Sequence, residues 1–523
     1  MKNENFDVAI VGYGPVSKLL AALLGQKGWK VGVYERFQKA YPLPRAVHFD
    51  DETARILQSV IPASEIERII DVAEDLYTWC NAERKILLEI DFSMFGVSGW
   101  PGHMFFNQPE LEEVLDRACQ EQPTVSVNFG KEAIGLTEFD DHVELVVKDL
   151  QGEVSKIHAK YVVGADGANS FVRKNMDHTI TDLGFVADWL VVDIIPQTER
   201  EWKPMNLQVC DPARPTTVVS GGPGRRRWEF MALPGETKEE LNKEKVAWEL
   251  LKPWDITPEN SILERHAIYT FKALSVDEWR KGRLILAGDS AHLTPPFAGQ
   301  GMCAGLRDSK NLAWKLDLIL SGKADDSILD TYTKERNPHN REVVESALFL
   351  GKVICITDPE AAAQRDEMFF TGQVPPFPEF PYLTDGLLDQ QSSKYAGKLS
   401  FQSTVSYQGQ TGLFDDLVGN GWIIMSPVDD PKNVLTEEQL AFLESISAKC
   451  VKISEPSDIT SENRVVDVDG KYHQYFNDTG LKAVVARPDF YLFGAVDNLS
   501  DLPSLVDNLM KQLGQYMNSI TVG

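Results

Sequence analysis

The chain is short of basic residues, of paired cysteines and of long apolar runs. Lys and Arg number 52 against 78 Asp and Glu, a formal net charge of −26, which speaks against nucleic acid or an anionic membrane as a partner. The six cysteines (Cys80, Cys119, Cys210, Cys303, Cys355, Cys450) include no CxxC pair and no metal-ligand spacing. Neither a disulfide framework nor a zinc site is expected; free, buried thiols are. No stretch approaches the ~20 apolar residues of a membrane span, and the start MKNENFDVAIVGYG has no basic region leading into an apolar one. A cytoplasmic location is the default expectation. Internal repeats and low-complexity tracts are absent as well.

What is present is an ordinary globular composition, 43% hydrophobic and 25% charged, over 523 residues. That length exceeds one hydrophobic core, so two or three domains are expected. The most informative stretch is Gly282 to Met302, GRLILAGDSAHLTPPFAGQGM. Arg283 to Ala287 are predicted to form a strand buried on both faces, broken by Gly288, Asp289 and Ser290. A glycine and an aspartate at the carboxyl end of such a strand suit close approach to a ligand and acceptance of its hydroxyls. After Pro295-Pro296, the turn Gly299-Gln300-Gly301 is predicted to open a helix running from Met302 through Leu306, Leu312 and Leu316. The free N–H groups of that helix start would face whatever Asp289 holds.

The N-terminus carries a second signal. Phe6 to Val11 reads as a buried strand, Gly12-Tyr-Gly14-Pro15-Val16-Ser17 as a tight turn, and Val16, Leu19, Leu20, Leu23 and Leu24 as the stripe of a helix. A second strand from Val31 to Tyr34 delivers Glu35, 21 positions after Gly14, close to the spacing at which an acidic residue meets the ribose of a bound dinucleotide. Gly12 permits the turn and Gly14 admits the pyrophosphate, while Ser17 departs from the usual third Gly or Ala. The acidic residue leaves NAD and FAD both open. A third strand end, Tyr161 to Gly164, runs into Ala165-Asp166-Gly167 and then Ser170 and Arg173. Three such ends suggest one extended dinucleotide lying along one sheet.

Between these signals, Tyr41 to Asp50 is a Pro-punctuated loop carrying Arg45 and His48, with a helix expected from about Asp51. Arg45 could fork onto phosphate, and His48 could orient or deprotonate a substrate; a surface arginine and a helix-capping neighbourhood are the alternatives. Gln108, before Pro109, stands at a predicted helix start and could contact a ligand or cap. Residues 182–275 read as an inserted β-rich domain able to roof a pocket, with Gln208, Arg225, Arg227 and Trp228 as candidate substrate contacts. The Arg225 to Arg227 cluster hints at an anionic group on the substrate. Val374 to about Lys398 reads as a surface linker. From Ser400 onward, strand and helix signals suggest a thioredoxin-like fold, and Cys450, its single cysteine, excludes dithiol chemistry. Its role is read as structural, covering an edge or pairing two copies as a homodimer.

Gly12 to Ser17 with Glu35, Gly164 to Arg173, and Gly288-Asp289 with PPFAGQGM together form a triple signature that resembles the single-component FAD-dependent aromatic hydroxylases (group A). PLPRAVHFDDE, DWLVVDI, QVCDPARPTTVV and RRRWEFMALPGE look closest to the 3-(3-hydroxyphenyl)propionate hydroxylases within it. The resemblance implies an α/β fold: a discontinuous Rossmann-like FAD-binding domain (1–181 and 276–373), a substrate-binding β-sheet domain (182–275), a linker (374–399) and a thioredoxin-like domain (400–523). It implies FAD contacts at Gly12, Gly14, Pro15, Val16, Glu35, Arg36, Arg45, Gln108, Asp166, Gly288, Asp289, Pro296, Gly299, Gly301 and Met302. NADH or NADPH would visit transiently, since one phosphate turn is present, and O2 and a small aromatic compound would be the other reactants. The reaction implied is hydroxylation of a phenolic ring through a flavin C4a-hydroperoxide, with Pro296 against the flavin and His48 as the base. A flavin dehydrogenase or reductase and a catalytically idle scaffold are the rival readings. A halogenase is disfavoured because its tryptophan-rich motif is missing.

Overall fold

The computed structural model describes residues 4–40, 42–390, 394–458 and 464–517. Tyr41, the first residue of the Arg45 loop, lies outside them, as do the extreme termini. The nucleotide-type sheet has eight strands. Its parallel spine joins Leu284–Leu286, Val154–Gly164, Glu4–Val11, Val31–Glu35 and Val125–Phe129 in that order. Val8, Ala9, Ile10, Val31, Val33, Val162, Val163 and Ile285 are fully buried in it, as expected of strands covered on both faces. The helix Pro15–Gln26 begins at a proline, which loses nothing at a position whose N–H has no intrahelical partner. It buries Leu19, Leu20 and Leu24 completely, each contributing about 1.5–3 kcal/mol. Its other long contact is the helix Gly301–Leu320, which crosses so close that Gly305 and Gly288 leave no room for a Cβ beside Val16.

A second eight-stranded sheet is built around two long antiparallel strands, Ile180–Pro196 and Ser261–Val276. It reaches beyond the segment expected from sequence. Leu76–Asn81 pairs in parallel with Asn206–Cys210, and Ile86–Asp91 extends the edge. One face of this sheet packs Leu190, Val192, Trp228 and Phe230 against the helix Glu244–Leu251. The other face looks back toward the first sheet. The stretch from Gly282 to Met302 is the seam: Leu284–Leu286 belongs to the first sheet, while His292–Leu293 pairs with Leu274 and Ser275 of the second.

The third sheet has seven strands among the described residues, and one end of it runs Lys449–Ser454, Ile423–Ser426, Ala483–Ala486 and Leu492–Val496, the last at the edge. Ala483–Ala486 is antiparallel to its neighbours, and the helices Glu437–Ser445, Lys471–Thr479 and Leu502–Gly514 accompany the strands. This order is compatible with the thioredoxin-like expectation. Buried ion pairs bind it to the rest: Arg55 grips Asp415 through two bonds of 2.7 and 3.0 Å, and Arg487 meets Glu335 at 2.7 and 3.0 Å. Among its described residues the expected linker carries no regular element but buries Leu383, Leu387 and Leu388.

Candidate functional site

Parallel register brings the three sequence signals into one row. Val11 stands opposite both Gly164 and Tyr34, and Gly164 opposite Leu286, so the turns after these strands emerge side by side at the carboxyl edge of the sheet. This is the edge where open α/β sheets take their ligands. Gly12 has φ of 97°, and a Cβ there would lie 2.4 Å from the Ala165 carbonyl oxygen. Gly14 differs: nothing stands within 4 Å of where its Cβ would be. It caps the helix Pro15–Gln26 without a side-chain bond, leaving free N–H groups and an open approach fit for a phosphate. Glu35 is oriented by the N–H groups of Tyr13 (3.0 Å) and Phe37 (2.9 Å). The neighbouring Arg36 is exposed and stacks over Phe37. Ser17, fully buried, has no hydrogen-bond partner for its hydroxyl among the described residues.

Asp289 is exposed at the end of Leu284–Leu286. The surrounding walls raise its carboxyl pKa above the ordinary value, with His292, Arg45 and Arg173 opposing; these charges surround the space it addresses. Its turn is held from beneath. Asp308, buried in the helix Gly301–Leu320, accepts from the Gly288 N–H at 3.0 Å, from His292 at 2.7 Å and from Arg336 at 3.1 Å. Arg173 donates to the Ser290 carbonyl at 2.8 Å. Asp166, expected to contact the cofactor, is committed to the protein instead. One oxygen accepts from Ser170 (2.5 Å) and Ser290 (3.0 Å), the other from the Phe171 N–H (2.6 Å). Its carboxylate stitches two strand ends together.

The Arg45 loop is fixed by two residues read from sequence as ligand contacts. Gln108 accepts from the N–H groups of Arg45 (3.1 Å) and Ala46 (2.7 Å) and donates to Glu112 (2.7 Å). Arg227 donates to the Arg45 carbonyl at 2.6 Å and makes a two-point pair with Asp193 at 2.6 and 2.9 Å. Arg45 itself is exposed. The structure thus brings Arg45 to the cleft and withdraws Arg227, which is 2% exposed, from any substrate. Arg225 is likewise engaged, by Glu110 (2.9 Å) and Glu264 (3.3 Å). Trp228 points to the far face of its sheet and packs on Trp202 and Trp254. Strand alternation explains the last correction: with Arg227 on the cleft face, Trp228 must face the other way.

His48, on the short strand His48–Asp50, stands where the two sheets meet. Its Nδ1 lies 3.5 Å from the Gly299 carbonyl oxygen, and a Cβ on Gly299 would come within 2.7 Å of that nitrogen. Its Nε2 lies 3.0 Å from Nδ1 of His103, on the paired strand His103–Phe106. Arg307 ties this strand to the helix start, reaching Asp50 and Gln300 at 2.6 and 2.8 Å and Glu52 at 2.5 Å. Gly299 has φ of 64°, and the N–H groups of Gly301, Met302 and Cys303 begin the helix without a side-chain cap. Pro296 opens the single turn before it, and Phe297 packs among Phe185, Trp189 and Phe271. Across the pocket, Phe92 stacks on His103 at 3.6 Å and lies 5.2 Å from Tyr77. Gln208, 1% exposed, accepts from Thr217 (2.7 Å) and Tyr77 (3.4 Å). Burial lowers the pKa of His48, and lowers that of His103 to about 3 with His48 adding to the effect. Burial raises the Glu229 carboxyl, with Arg227 opposing.

Sequence reasoning missed His103, Tyr77, Asp308 and Arg307. His103 and Tyr77 lie in unremarkable strands, and the pairings of Asp308 and Arg307 span 7 to 257 positions. The only local hint was the HxD pattern of His48 and Asp50.

Residues 5–347 match the family described as FAD binding domain, and residues 397–512 match the HcaD C-terminal domain. A protein of Rhodococcus jostii named probable NADH-specific resorcinol 4-hydroxylase is 37% identical over 512 residues, covering 96% of this chain and 94% of its own. The 3-(3-hydroxy-phenyl)propionate/3-hydroxycinnamic acid hydroxylase of Escherichia coli K12 is 30% identical, covering 98% and 95%. Two solved structures share the fold. The flavin-dependent monooxygenase PieE, in complex with FAD and substrate, superposes with a TM-score of 0.80 at 18% identity, covering 98% of this chain and all of that one. Aklavinone-11 hydroxylase with FAD and aklavinone gives 0.77 at 22%, with the same coverage. Among the described residues no helix is long and apolar enough to cross a membrane, and no cluster of side chains could hold a metal ion. The open phosphate approach at Gly14, the oriented Glu35 and the exposed Asp289 fit FAD, and with these relatives the chain belongs to the FAD-dependent aromatic hydroxylases.

Proposed function

We propose that this chain hydroxylates an uncharged dihydroxybenzene of the resorcinol type, using NADH and O2. The observation that carries the choice is the commitment of the substrate sheet's arginines. Arg225 and Arg227 are each bound to carboxylates, and Arg226 is buried over Trp202, so none of the three offers a counter-ion to a propionate side chain. The relative named as an NADH-specific resorcinol 4-hydroxylase supports the same substrate and donor, and dependence on NADH fits a cytoplasmic enzyme.

In this reading the helix start at Gly14 to Val16 takes the pyrophosphate, Glu35 the adenosine ribose, Arg45 the phosphate region and Asp289 the ribityl chain. Arg36 flanks the adenine end. Pro296 and Gly299 to Met302 border the reacting ring, where the helix N–H groups stabilise negative charge. When bound, FAD supplies the redox chemistry and activates oxygen. The chain's own residues do the rest. His48, set between the Gly299 carbonyl and His103, polarises the phenol or takes its proton and makes the ring more electron-rich. Phe92, Trp189, Phe271 and Phe297 keep water out. Tyr77 offers a polar edge for a second hydroxyl, while Gln208, buried and engaged by Thr216, Thr217 and Tyr77, holds that edge from behind instead of meeting substrate. The test compares substrate-stimulated NADH oxidation with resorcinol and with 3-(3-hydroxyphenyl)propionate. Resorcinol should give a kcat/KM at least about tenfold higher, equivalent to roughly 1.4 kcal/mol; preference for the propionate would reject the substrate assignment.

A further inference from the structure

We propose, resting on the reading of the pocket around His48, that the C-terminal domain shapes that pocket from a distance, with Gln402 as the positioning residue and loop 93–102 as the connection. The neck of the loop stands in the pocket. Its flanking residues, Phe92 and His103, stack on each other at 3.6 Å and 11°. His48 lies beside both, its Nε2 3.0 Å from His103 Nδ1 and its ring 6.4 Å from that of Phe92. Just beyond the neck the loop closes on itself: the Gly102 N–H donates to the Met94 carbonyl at 2.8 Å and the Gly96 N–H to the Trp100 carbonyl at 2.9 Å. A displacement of the tip is carried to the stacked pair through these rungs, because the loop has no slack chain between them.

The tip is gripped from two sides. Gln402, buried and inside the segment that matches the HcaD C-terminal domain, donates from Nε2 to the Ser98 carbonyl at 2.7 Å and from its backbone N–H to the Val97 carbonyl at 2.9 Å. Gly99, at φ of 78°, packs so closely that a Cβ would lie 3.0 Å from the Gln402 carbonyl oxygen. On the other side Asp51, which opens the helix directly after the strand His48–Asp50, accepts from the Ser98 N–H at 3.0 Å, and Gly96 leaves no room for a Cβ beside its carboxyl. Trp100 anchors the returning leg by burial, but Met94, Phe95 and Val97 are exposed, so polar bonds fix the tip. Gln402 also joins these contacts to the domain interface: its Oε1 accepts from the Asp415 N–H at 3.0 Å, and the Asp415 carboxylate grips Arg55. The third domain thereby sets how far the Phe92–His103 wall stands from His48. A wall held at one distance orients the bound ring, and a loosened one admits water where the reacting centre must be dry.

The test uses the full, FAD-loaded chain with NADH, O2 and either resorcinol or 3-(3-hydroxyphenyl)propionate, whichever the wild type turns over faster. Gln402→Met removes the bond to Ser98 while keeping the length of the side chain. Hydrogen exchange followed by mass spectrometry should show the amides of residues 96–102 exchanging faster, while a flavin titration matches wild type. KM for the aromatic compound should rise about tenfold with kcat changed less than about twofold, and a larger share of the NADH oxidised should appear as hydrogen peroxide. Asp51→Ala, which releases the Ser98 N–H from the other side, should move the same readouts in the same direction and serves if Gln402→Met does not fold. Wild-type KM and coupling in a folded variant whose loop exchanges faster, or a raised KM without faster loop exchange, would overturn the proposal. A wild-type preference for the propionate rejects the resorcinol assignment alone and leaves this comparison intact. If neither compound accelerates NADH oxidation, the reading of the pocket fails, and the proposal with it.

Discussion

At the scale of single residues, some groups line the space proposed for the cofactor and others hold the loops that border it. Gly14 belongs to the first kind. Its φ of −90° is open to any residue and no protein atom contests its Cβ, so Gly14→Val should leave the apoprotein's melting temperature nearly unchanged while weakening FAD at least about tenfold in a flavin titration. Gly12→Ala should behave differently, because the added carbon meets the Ala165 carbonyl at 2.4 Å; it should lower melting temperature and flavin content together. Arg227 belongs to the second kind. Arg227→Met leaves the buried Asp193 only its looser pair with Arg265 at 3.7 Å and should cost about 3 kcal/mol in denaturant unfolding. Glycine spacing and Glu35 were legible because the phosphate turn is a local device. The roles of Arg227 and Gln108 were not, since a buried arginine and a ligand-binding one look alike until the distant Asp193 or the Arg45 loop is brought beside it.

At the scale of elements, the seam from Gly282 to Met302 decides the site. Its strand end, its crossing to the second sheet and its helix start are each pinned by buried charge, with Asp308 beneath Gly288 and Arg307 between Gln300 and the strand of His48. Burial alone would raise the Asp50 carboxyl, but Arg307 and the Thr53 bonds prevail and hold it below the ordinary carboxylate range. A depressed folded pKa contributes stability that is present above the unfolded value of about 4 and is lost as pH falls below it. Arg307→Met reverses the sign: Asp50 loses its cation, burial lifts its pKa above the unfolded value, and protonation relieves the buried charge. The variant's stability deficit should therefore be greatest near pH 7 and shrink toward about pH 4, as urea unfolding across that range would reveal. The strand, turn and helix of this seam were legible from apolar runs and glycines; its membership of two sheets was not, because the pairing of His292–Leu293 with Leu274 and Ser275 is a tertiary choice.

At the scale of the molecule, two sheets form the cleft and a third domain braces them. The triple signature indicated the first sheet and its edge because all three motifs end parallel strands. The recruitment of Leu76–Asn81 into the second sheet left no comparable trace, since its only sign is alternation within a short strand. The third domain makes the buried pairs Arg55–Asp415 and Arg487–Glu335 with helices that carry the cleft. Removing residues 397–523 would strand Arg55 without its carboxylate, leave Glu335 with Lys315 but without Arg487, and expose the apolar faces around Trp314 and Leu318. Such a truncation should yield little soluble flavoprotein, measured as flavin absorbance after purification. The central claim is that this framework places a neutral phenol, bound FAD and His48 together for oxygen insertion. Its most direct test is turnover of resorcinol by the FAD-loaded chain with NADH under isotopically labelled dioxygen. The account predicts a trihydroxybenzene carrying one labelled oxygen atom for each NADH oxidised; NADH consumption without a labelled aromatic product, or without any acceleration by resorcinol, would contradict it.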